Sequence, residues 1–420
     1  MAPSSRIELI TIGDELLLGF TADTNAAYLS RELADIGVDV VQRTTVGDIG
    51  PAITAAVRDA LDRTGAVITT GGLGPTADDV TKPAIAEVFG RAMRFEPAIL
   101  SAIEEHWRAR GLSGPLPAPN RRQAFVPEGA RVLVNRHGSA PGIWLEDERG
   151  RWVAMLPGVP REMRGLLADE LLPALRARGG ESGTVIRSRT LRTTGIAESA
   201  LAELLGELGE AVNGLPLAYL PGADGVDLRL TSRGLAPADT DKALELGVEQ
   251  LRARVGPWVY GDGTTNLAAV VLDLCRARRL HVAVGESCTG GLFGARLTAV
   301  PGSSDVFVGG VIAYDNPVKV SLLGVSADEL ATHGAVSEPV VRRMAEGARI
   351  QAGAQLGVGI TGIAGPDGGT ADKPVGTTWI ALAGVGDTRT KRSVFVGDRE
   401  EIRWRATQSA LDMIRRALAQ

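Results

Sequence analysis

The chain has 420 residues, 44% hydrophobic and 23% charged, with 45 Lys and Arg against 50 Asp and Glu for a net charge of −5. That balance fits a soluble globular protein of two to four domains, at roughly 100–200 residues each, and excludes a global basic field for nucleic acid. No run approaches the ~20 apolar residues that span a bilayer, and Met1 to Arg6 hold no apolar signal core. Two cysteines, Cys275 and Cys288, exclude a disulfide framework, and the scattered His106, His137, His281 and His333 argue against a histidine zinc site. A reducing cytosol is the expected setting, and any metal would rest mainly on carboxylates.

In chain order, residues 7–12 read as a short buried strand and 24–36 as a helix, with Ala27, Leu29, Leu33, Ala34 and Ile36 at helical spacing. Residues 38–41 form a second strand, and 51–61 a helix with Pro51 near its start. Residues 66–70 form a third strand running into Gly71-Gly72-Leu73-Gly74-Pro75. This alternation predicts a parallel sheet with helices on both faces and ligands beyond the carboxyl ends of its strands. Gly13-Asp14-Glu15 and the glycine-rich loop both stand at such ends. Residues 115–127, with several prolines, read as a structured loop, 153–156 as a strand, and 161–172 as a helix stopping at Pro173. A first boundary falls near Arg176, before Gly179-Gly180-Glu181. Strands at 185–193, 217–220 and 226–231, with helices at 198–208 and 237–255, make a small α+β domain poor in reactive groups. Beyond it, 267–277, 338–352 and 400–418 read as helices, and 281–284, 306–314, 356–362 and 377–383 as strands. The expected organisation is α/β, with domains at 1–176, 177–255 and 256–420.

Two constellations carry chemistry. Asp14, Glu15, Asp48, Asp78 and Asp79 accompany the loop from Thr69 to Thr76. Small residues let backbone N–H groups approach an anion, and a helix starting after Thr76 would add positive dipole character. Neighbouring carboxylates would hold a divalent cation against phosphates. The competing reading is that Asp78 and Asp79 only cap a helix.

The second constellation is Ser287, Thr289, Gly290, Gly291, Tyr314, Lys319 and the loop from Thr361 to Gly369. Ser287 lies in a strand-to-helix turn, where its hydroxyl is expected to be exposed. Amide hydrolysis needs an activated nucleophile, oxyanion donors and a proton for departing ammonia. With no histidine close in sequence, a desolvated Lys or a Tyr serves as base, and one loop presents Tyr314 and Lys319. The competing reading has Ser287 and Thr289 capping the next helix and Lys319 in solvent. Arg399 and Arg403, four apart, share a helix face; they clamp a phosphate or lie on a solvated surface. Cys288 is a rival nucleophile or a small buried packing residue.

Together these stretches resemble the CinA family. Leu9 to Leu17, Asp23-Thr24-Asn25 and Thr69 to Thr81 are similar to the molybdopterin-binding fold of the MogA/MoaB type. Asn120 to Ala124, Ala140-Pro141-Gly142 and Leu156 to Met163 match its CinA version. Glu286 to Gly291, Gly334 to Glu338, Gly362 to Gly369, Lys373 to Thr377 and Gly397-Asp398-Arg399 resemble the CinA C-terminal domain. The resemblance implies a three-layer parallel-sheet N-terminal domain, a small α+β connector and a C-terminal α/β amidase domain. The amidase would convert nicotinamide mononucleotide and water to nicotinate mononucleotide and ammonia, without a cofactor, in pyridine nucleotide salvage. The N-terminal domain would split ADP-ribose at its pyrophosphate with a divalent metal (Mg, Mn or Co), or else bind a nucleotide or pterin without catalysis.

By position, the resemblance makes Ser287, Tyr314 and Lys319 the catalytic group. Thr289, Gly290, Gly291, Thr361 and Gly362 line the pocket, with Arg399 or Arg403 on the phosphate side. For amide hydrolysis at this site, backbone amides near Gly290 and Gly362 are the expected oxyanion donors. The first constellation makes Gly13, Asp14, Glu15, Gly71, Gly72, Gly74, Thr76 and Asp78 the N-terminal ligand site, and the resemblance places Asp48 and Asp79 at acidic ligand-side positions, the candidates for the metal. Gly285 departs from the pattern, where Ala is more often expected. A homodimer without membrane or nucleic-acid partners is implied.

Overall fold

The computed structural model describes residues 6–111, 114–179 and 184–419. The chain divides into two compact units, Met1–Arg187 with Ser232–Lys242 and Ser188–Thr231 with Ala243–Gln420. In the first unit the strands are β1 (Arg6–Ile12), β2 (Asp39–Val46), β3 (Ala66–Thr70), β4 (Met93–Phe95), β5 (Phe125–Pro127), β6 (Arg131–Leu133), β7 (Gly142–Glu146) and β8 (Trp152–Leu156). The main sheet has the order β2-β1-β3-β8-β7-β6.

β2, β1, β3 and β8 pair in parallel, while β7 pairs antiparallel with both β8 and β6, so β7 alone is reversed. The sheet is therefore mixed rather than parallel throughout. The connections from β6 to β7 and from β7 to β8 are too short for a crossover, so the chain returns antiparallel. β3 and β8 are buried at every residue, as a sheet covered on both faces requires. Ile10, Ile12 and Val67 meet Ile53 and Val57 of the Gly50–Thr64 helix on one face. Ile7, Leu9 and Ile68 meet Leu29 and Leu33 of the Thr24–Ala34 helix on the other. Residues 115–127 hold a 3-10 turn, Ala118–Ala124, followed by β5. The helix expected to stop at Pro173 continues as Pro160–Leu166, a π turn at Leu167–Leu171, and Leu172–Gly179. Arg176 thus lies inside a helix; Gly180 and Glu181 lie outside the described residues.

The middle sheet comprises β9 (Val185–Thr193), β10 (Ala211–Val212), β11 (Leu215–Gly222), β12 (Gly225–Leu235) and β13 (Val259–Asp262), in the order β10-β11-β12-β9-β13. Leu201 and Leu205 of the Glu198–Leu205 helix share its core with Leu244 and Leu251 of the Pro237–Val255 helix. Because β13 pairs with β9, this sheet reaches past residue 255.

The C-terminal sheet has β14 (Val282–Glu286), β15 (Phe307–Ile312), β16 (Leu356–Gly362), β17 (Thr377–Ala383) and β18 (Arg389–Val394), in the order β15-β14-β16-β17-β18. Its first three strands pair in parallel, and β17 pairs antiparallel with both β16 and β18. The Leu267–Arg278 and Arg399–Leu418 helices cover one face. The Glu338–Gln351 helix covers the other so closely that a Cβ on Gly359 would lie 2.4 Å from Val341 O. Among the described residues, no helix is long and apolar enough to cross a membrane.

Candidate functional site

Three parallel strands end together in the C-terminal sheet. Glu286 pairs with Ile312 on one side and Ile360 on the other, so Ser287, Tyr314 and Thr361-Gly362 follow along one edge. The Ser287 N–H donates to Ile360 O at 2.9 Å and the Ala313 N–H to Glu286 O at 2.7 Å, extending the ladder past the strand ends. The chain then turns through Gly290 and Gly291, with φ of 59° and 94°, left-handed conformations that favour glycine. The Leu292–Thr298 helix begins there, and neither Ser287 nor Thr289 caps it. The cap is Glu286, 1% exposed, whose carboxylate accepts the N–H of Gly291 and Phe293 at 3.1 Å and of Gly294 at 3.0 Å. One acid thus satisfies three donors and meets the positive end of the helix. Sequence reasoning gave Glu286 no role; its signal was an acid directly before a turn containing Gly-Gly that opens a helix.

Ser287 is 8% exposed, not on an open turn, because the ends of β15 and β16 flank it. Lys319 comes from the Asn316–Leu323 helix, which Asp315 caps and Pro317 starts. It is 1% exposed, so the solvated reading fails. Its Nζ donates to Tyr314 O at 3.0 Å. Burial pushes its pKa below the usual lysine value, against the opposing charge of Asp315. Burial pushes the Cys288 thiol up to about 12, which makes it a packing residue rather than a nucleophile. Among the described residues, no hydrogen bond joins the Ser287 hydroxyl to Lys319 or Tyr314.

Both arginines reach this edge. A capping box of Asp398 and Glu401 fixes the start of their helix. Arg399 donates to the Tyr314 hydroxyl at 3.0 Å and to Gly365 O at 2.7 Å, and Arg403 donates to Thr289 O at 2.8 Å. Arg399 is exposed and Arg403 half-buried, yet both side chains turn onto this edge. The Thr361 hydroxyl donates to Ala335 O at 2.9 Å, and the buried Thr289 hydroxyl has no partner. The Gly290 amide, an expected oxyanion donor, is spent on Ser287 O at 3.1 Å.

In the first unit, Gly13, Glu15, Asp48, Gly71, Gly72, Gly74, Asp78 and Asp79 line one cavity of about 370 Å³, faced by Gln123, Ser139, Gly158 and Glu162. Asp14 and Asp48 exchange bonds: the Asp14 N–H donates to Asp48 Oδ2 at 3.0 Å and the Asp48 N–H to Asp14 Oδ1 at 3.3 Å. Burial raises the Asp48 pKa, the Asp14 amide lowers it, and the charges of Asp14, Glu15 and Asp78 raise it further.

The helix after Thr76 starts at Thr81, whose hydroxyl donates to Gly71 O at 3.0 Å, so its N-terminus abuts the glycine loop. One expectation is corrected here. Asp79 neither caps that helix nor stands free for a cation. Its carboxylate accepts from the Gly74 and Thr76 amides, both at 2.7 Å, and from the Thr76 hydroxyl at 2.5 Å, tying the loop. Among the described residues, no three His, Cys, Asp or Glu side chains form a metal-holding group. Sequence reasoning also missed Lys82. It is buried, donates to Arg122 O and Gln123 O at 3.1 and 3.0 Å, and is pushed down to about 8 by desolvation. Its signal was a lysine at the start of a helix that continues through the apolar Ala84, Ile85 and Ala86.

Family models match three stretches: a probable molybdopterin binding domain over residues 8–177, a damage-inducible protein CinA KH domain over 188–261 and a CinA C-terminal domain over 264–418. A CinA-like protein of Gemmatimonas aurantiaca is 62% identical over 98% of this chain and 96% of its own length. A putative competence-damage inducible protein of Desulforudis audaxviator is 43% identical over 97% of this chain and 98% of its own. The crystal structure of the competence/damage inducible protein from Agrobacterium tumefaciens is 40% identical, covering 37% of this chain and 94% of that one at a TM-score of 0.36. With a MogA/MoaB-like N-terminal domain, a small KH-like domain and a CinA C-terminal domain in that order, the chain belongs to the family of CinA-like, competence-damage inducible proteins.

Proposed function

We propose that the C-terminal domain hydrolyses the carboxamide of nicotinamide mononucleotide, giving nicotinate mononucleotide and ammonia. The observation that carries this reading is the buried Lys319, bonded to a carbonyl rather than a carboxylate beside the strand end that presents Ser287. A desolvated lysine loses its proton more readily and becomes a base. Neutral Lys319 takes the Ser287 proton as Ser287 Oγ attacks the carboxamide carbon. The Gly362 amide donates to the developing oxyanion. As the C–N bond breaks, Lys319 returns the proton to nitrogen, directly or through Tyr314, whose oxygen accepts from Arg399 and leaves its own hydrogen to donate. Water then cleaves the acyl-serine ester. Arg399 and Arg403 grip the substrate phosphate.

The test is rapid-quench mass spectrometry of the native chain in its first turnovers with nicotinamide mononucleotide. A nicotinoyl-type adduct on Ser287 is expected. Turnover with no adduct would mean that water attacks directly, and no ammonia from the native chain would remove the amidase reading.

The carboxylates around the N-terminal cavity favour a second activity, hydrolysis of the ADP-ribose pyrophosphate. Their hard oxygens suit Mg, Mn or Co, but they do not preform a three-ligand group, so a cation would sit between Asp48 and substrate phosphates. Asp48→Asn should lower ADP-ribose hydrolysis and leave ammonia release unchanged. Tight nucleotide or pterin binding without turnover would identify a binding module instead.

A further inference from the structure

We infer that Asp224, in the turn between β11 and β12 of the middle domain, is a positioning residue for the arginine pair of the C-terminal site. The inference rests on the amidase reading for its kinetic consequence, and on geometry alone for its structural one. The turn is Gly222-Ala223-Asp224-Gly225. Gly225 has φ of 144°, and a Cβ there would lie 2.0 Å from Thr193 O, so the turn is pressed onto β9 and cannot accept a larger residue.

From that fixed base Asp224 contacts both helices that build the site. Its Oδ1 accepts the Trp404 indole N–H at 2.9 Å, and its backbone carbonyl accepts Gln408 Nε2 at 2.9 Å. Trp404 and Gln408 stand one turn apart on the helix whose first turns carry Arg399 and Arg403. The same Oδ1 lies 3.6 Å from Arg296 Nη2. Arg296 belongs to the Leu292–Thr298 helix that follows the Gly290-Gly291 turn. It stacks over the Trp404 ring at 4.2 Å and donates to Thr407 Oγ1 at 2.9 Å and Gln408 Oε1 at 2.5 Å. Arg192 donates to Asp224 Oδ2 at 2.9 Å and secures it from the β9 side.

One carboxylate therefore sets the spacing between the arginine-bearing helix and the nucleophile turn. That spacing is what the Arg403 bond to Thr289 O, at 2.8 Å, depends on. Arg296, Thr407 and Gln408 are buried and Asp224 and Trp404 half-buried, so a lost partner there costs more than in open water. Asp224 touches neither the Ser287 edge nor the arginines, so it acts through Trp404 and Arg296.

The kinetic signature follows from what the arginines hold. A phosphate grip is made equally in the ground and transition states, so loosening it raises KM and spares kcat. In the full chain, Asp224→Ala and Trp404→Phe should each raise KM for nicotinamide mononucleotide by about tenfold, one hydrogen bond's worth of affinity. Nicotinamide riboside, which lacks the phosphate, should be turned over as by the native chain. Trp404→Phe removes only the indole donor and keeps a ring under Arg296, so it carries the test if Asp224→Ala fails to fold. Equal losses on both substrates would reduce Asp224 to a merely structural residue, and an unchanged KM would overturn the inference. Hydrogen exchange of residues 398–405 should quicken in both variants while β16 stays protected. Unchanged exchange there overturns the inference even if the native chain releases no ammonia, a result that would by itself remove only the amidase reading.

Discussion

Glu286→Gln tests whether the anchoring of the Ser287 edge has been read correctly. The native carboxylate accepts three amides, two on Oε2 and one on Oε1, at 1% exposure. Glutamine offers one acceptor oxygen and one NH2 group. Whichever way it turns, the NH2 faces at least one N–H that then has no acceptor, a cost of about 1–3 kcal/mol. The bonds that survive lose their charge, which was worth about 1.5–3 kcal/mol for each charged contact against about 1 for a neutral one. The sum is about 3 kcal/mol. A cooperative unit of 150–250 residues loses about 2–4 °C per kcal/mol, so the transition of the C-terminal unit should fall by about 6–12 °C. Differential scanning calorimetry reads this directly, with urea unfolding as a second measure. Ammonia release should fall as well, since the Gly290-Gly291 turn loses its anchor. A transition within about 2 °C of the native value would refute the cap, because no arrangement of the amide satisfies all three donors.

Gly285→Ala should destabilise the C-terminal unit by about 1–3 kcal/mol. Its Cβ would stand 2.9 Å from Leu323 Cδ1 and 3.0 Å from Met344 O, so a urea midpoint equal to the native one would show that the helix yields freely. Lys319 must be neutral to act, and burial holds its pKa below the ordinary lysine value of 10.5, so kcat/KM should rise with pH through that lowered pKa and then level off. Lys319→Met should abolish the activity, and a native rate that falls over that interval contradicts the assigned role. Lys82 is neutralised at about 8 in the fold, against 10.5 when unfolded. The unfolded state binds the extra proton between those values, so the penalty of burying the charge is full below 8 and relieved as pH rises to 10.5. That gain is about 3 kcal/mol, and Lys82→Met should flatten it in urea midpoints taken across the interval.

The parts of the molecule legible in the sequence depend on neighbours along the chain. The Pro237–Val255 helix, β16 and β17 appear at their expected bounds because hydrophobic period and flanking Gly or Pro specify them locally. The Gly290-Gly291 turn is readable for the same reason, since a left-handed backbone asks for glycine. What was not legible depends on pairing across the fold. Lys319 has an unremarkable local sequence, and its burial follows only from how its helix packs beside the strand ends. Asp79 looks like a helix cap or a metal ligand until Gly74 and Thr76 fold back onto it. Arg399 and Arg403 share a face by spacing, but spacing does not say that the face meets Tyr314 and Thr289. The antiparallel β6 and β7 show how a helix-poor stretch escapes an alternating pattern learned from the residues before it.

The most direct measurement is ammonia release from nicotinamide mononucleotide by the native full chain and by Ser287→Ala at matched concentration. Release by the native chain and a loss of at least about a thousandfold in the variant, the scale of removing a covalent nucleophile, are the predicted results. Full activity in Ser287→Ala would contradict the serine mechanism, and silence in both would contradict the amidase assignment itself.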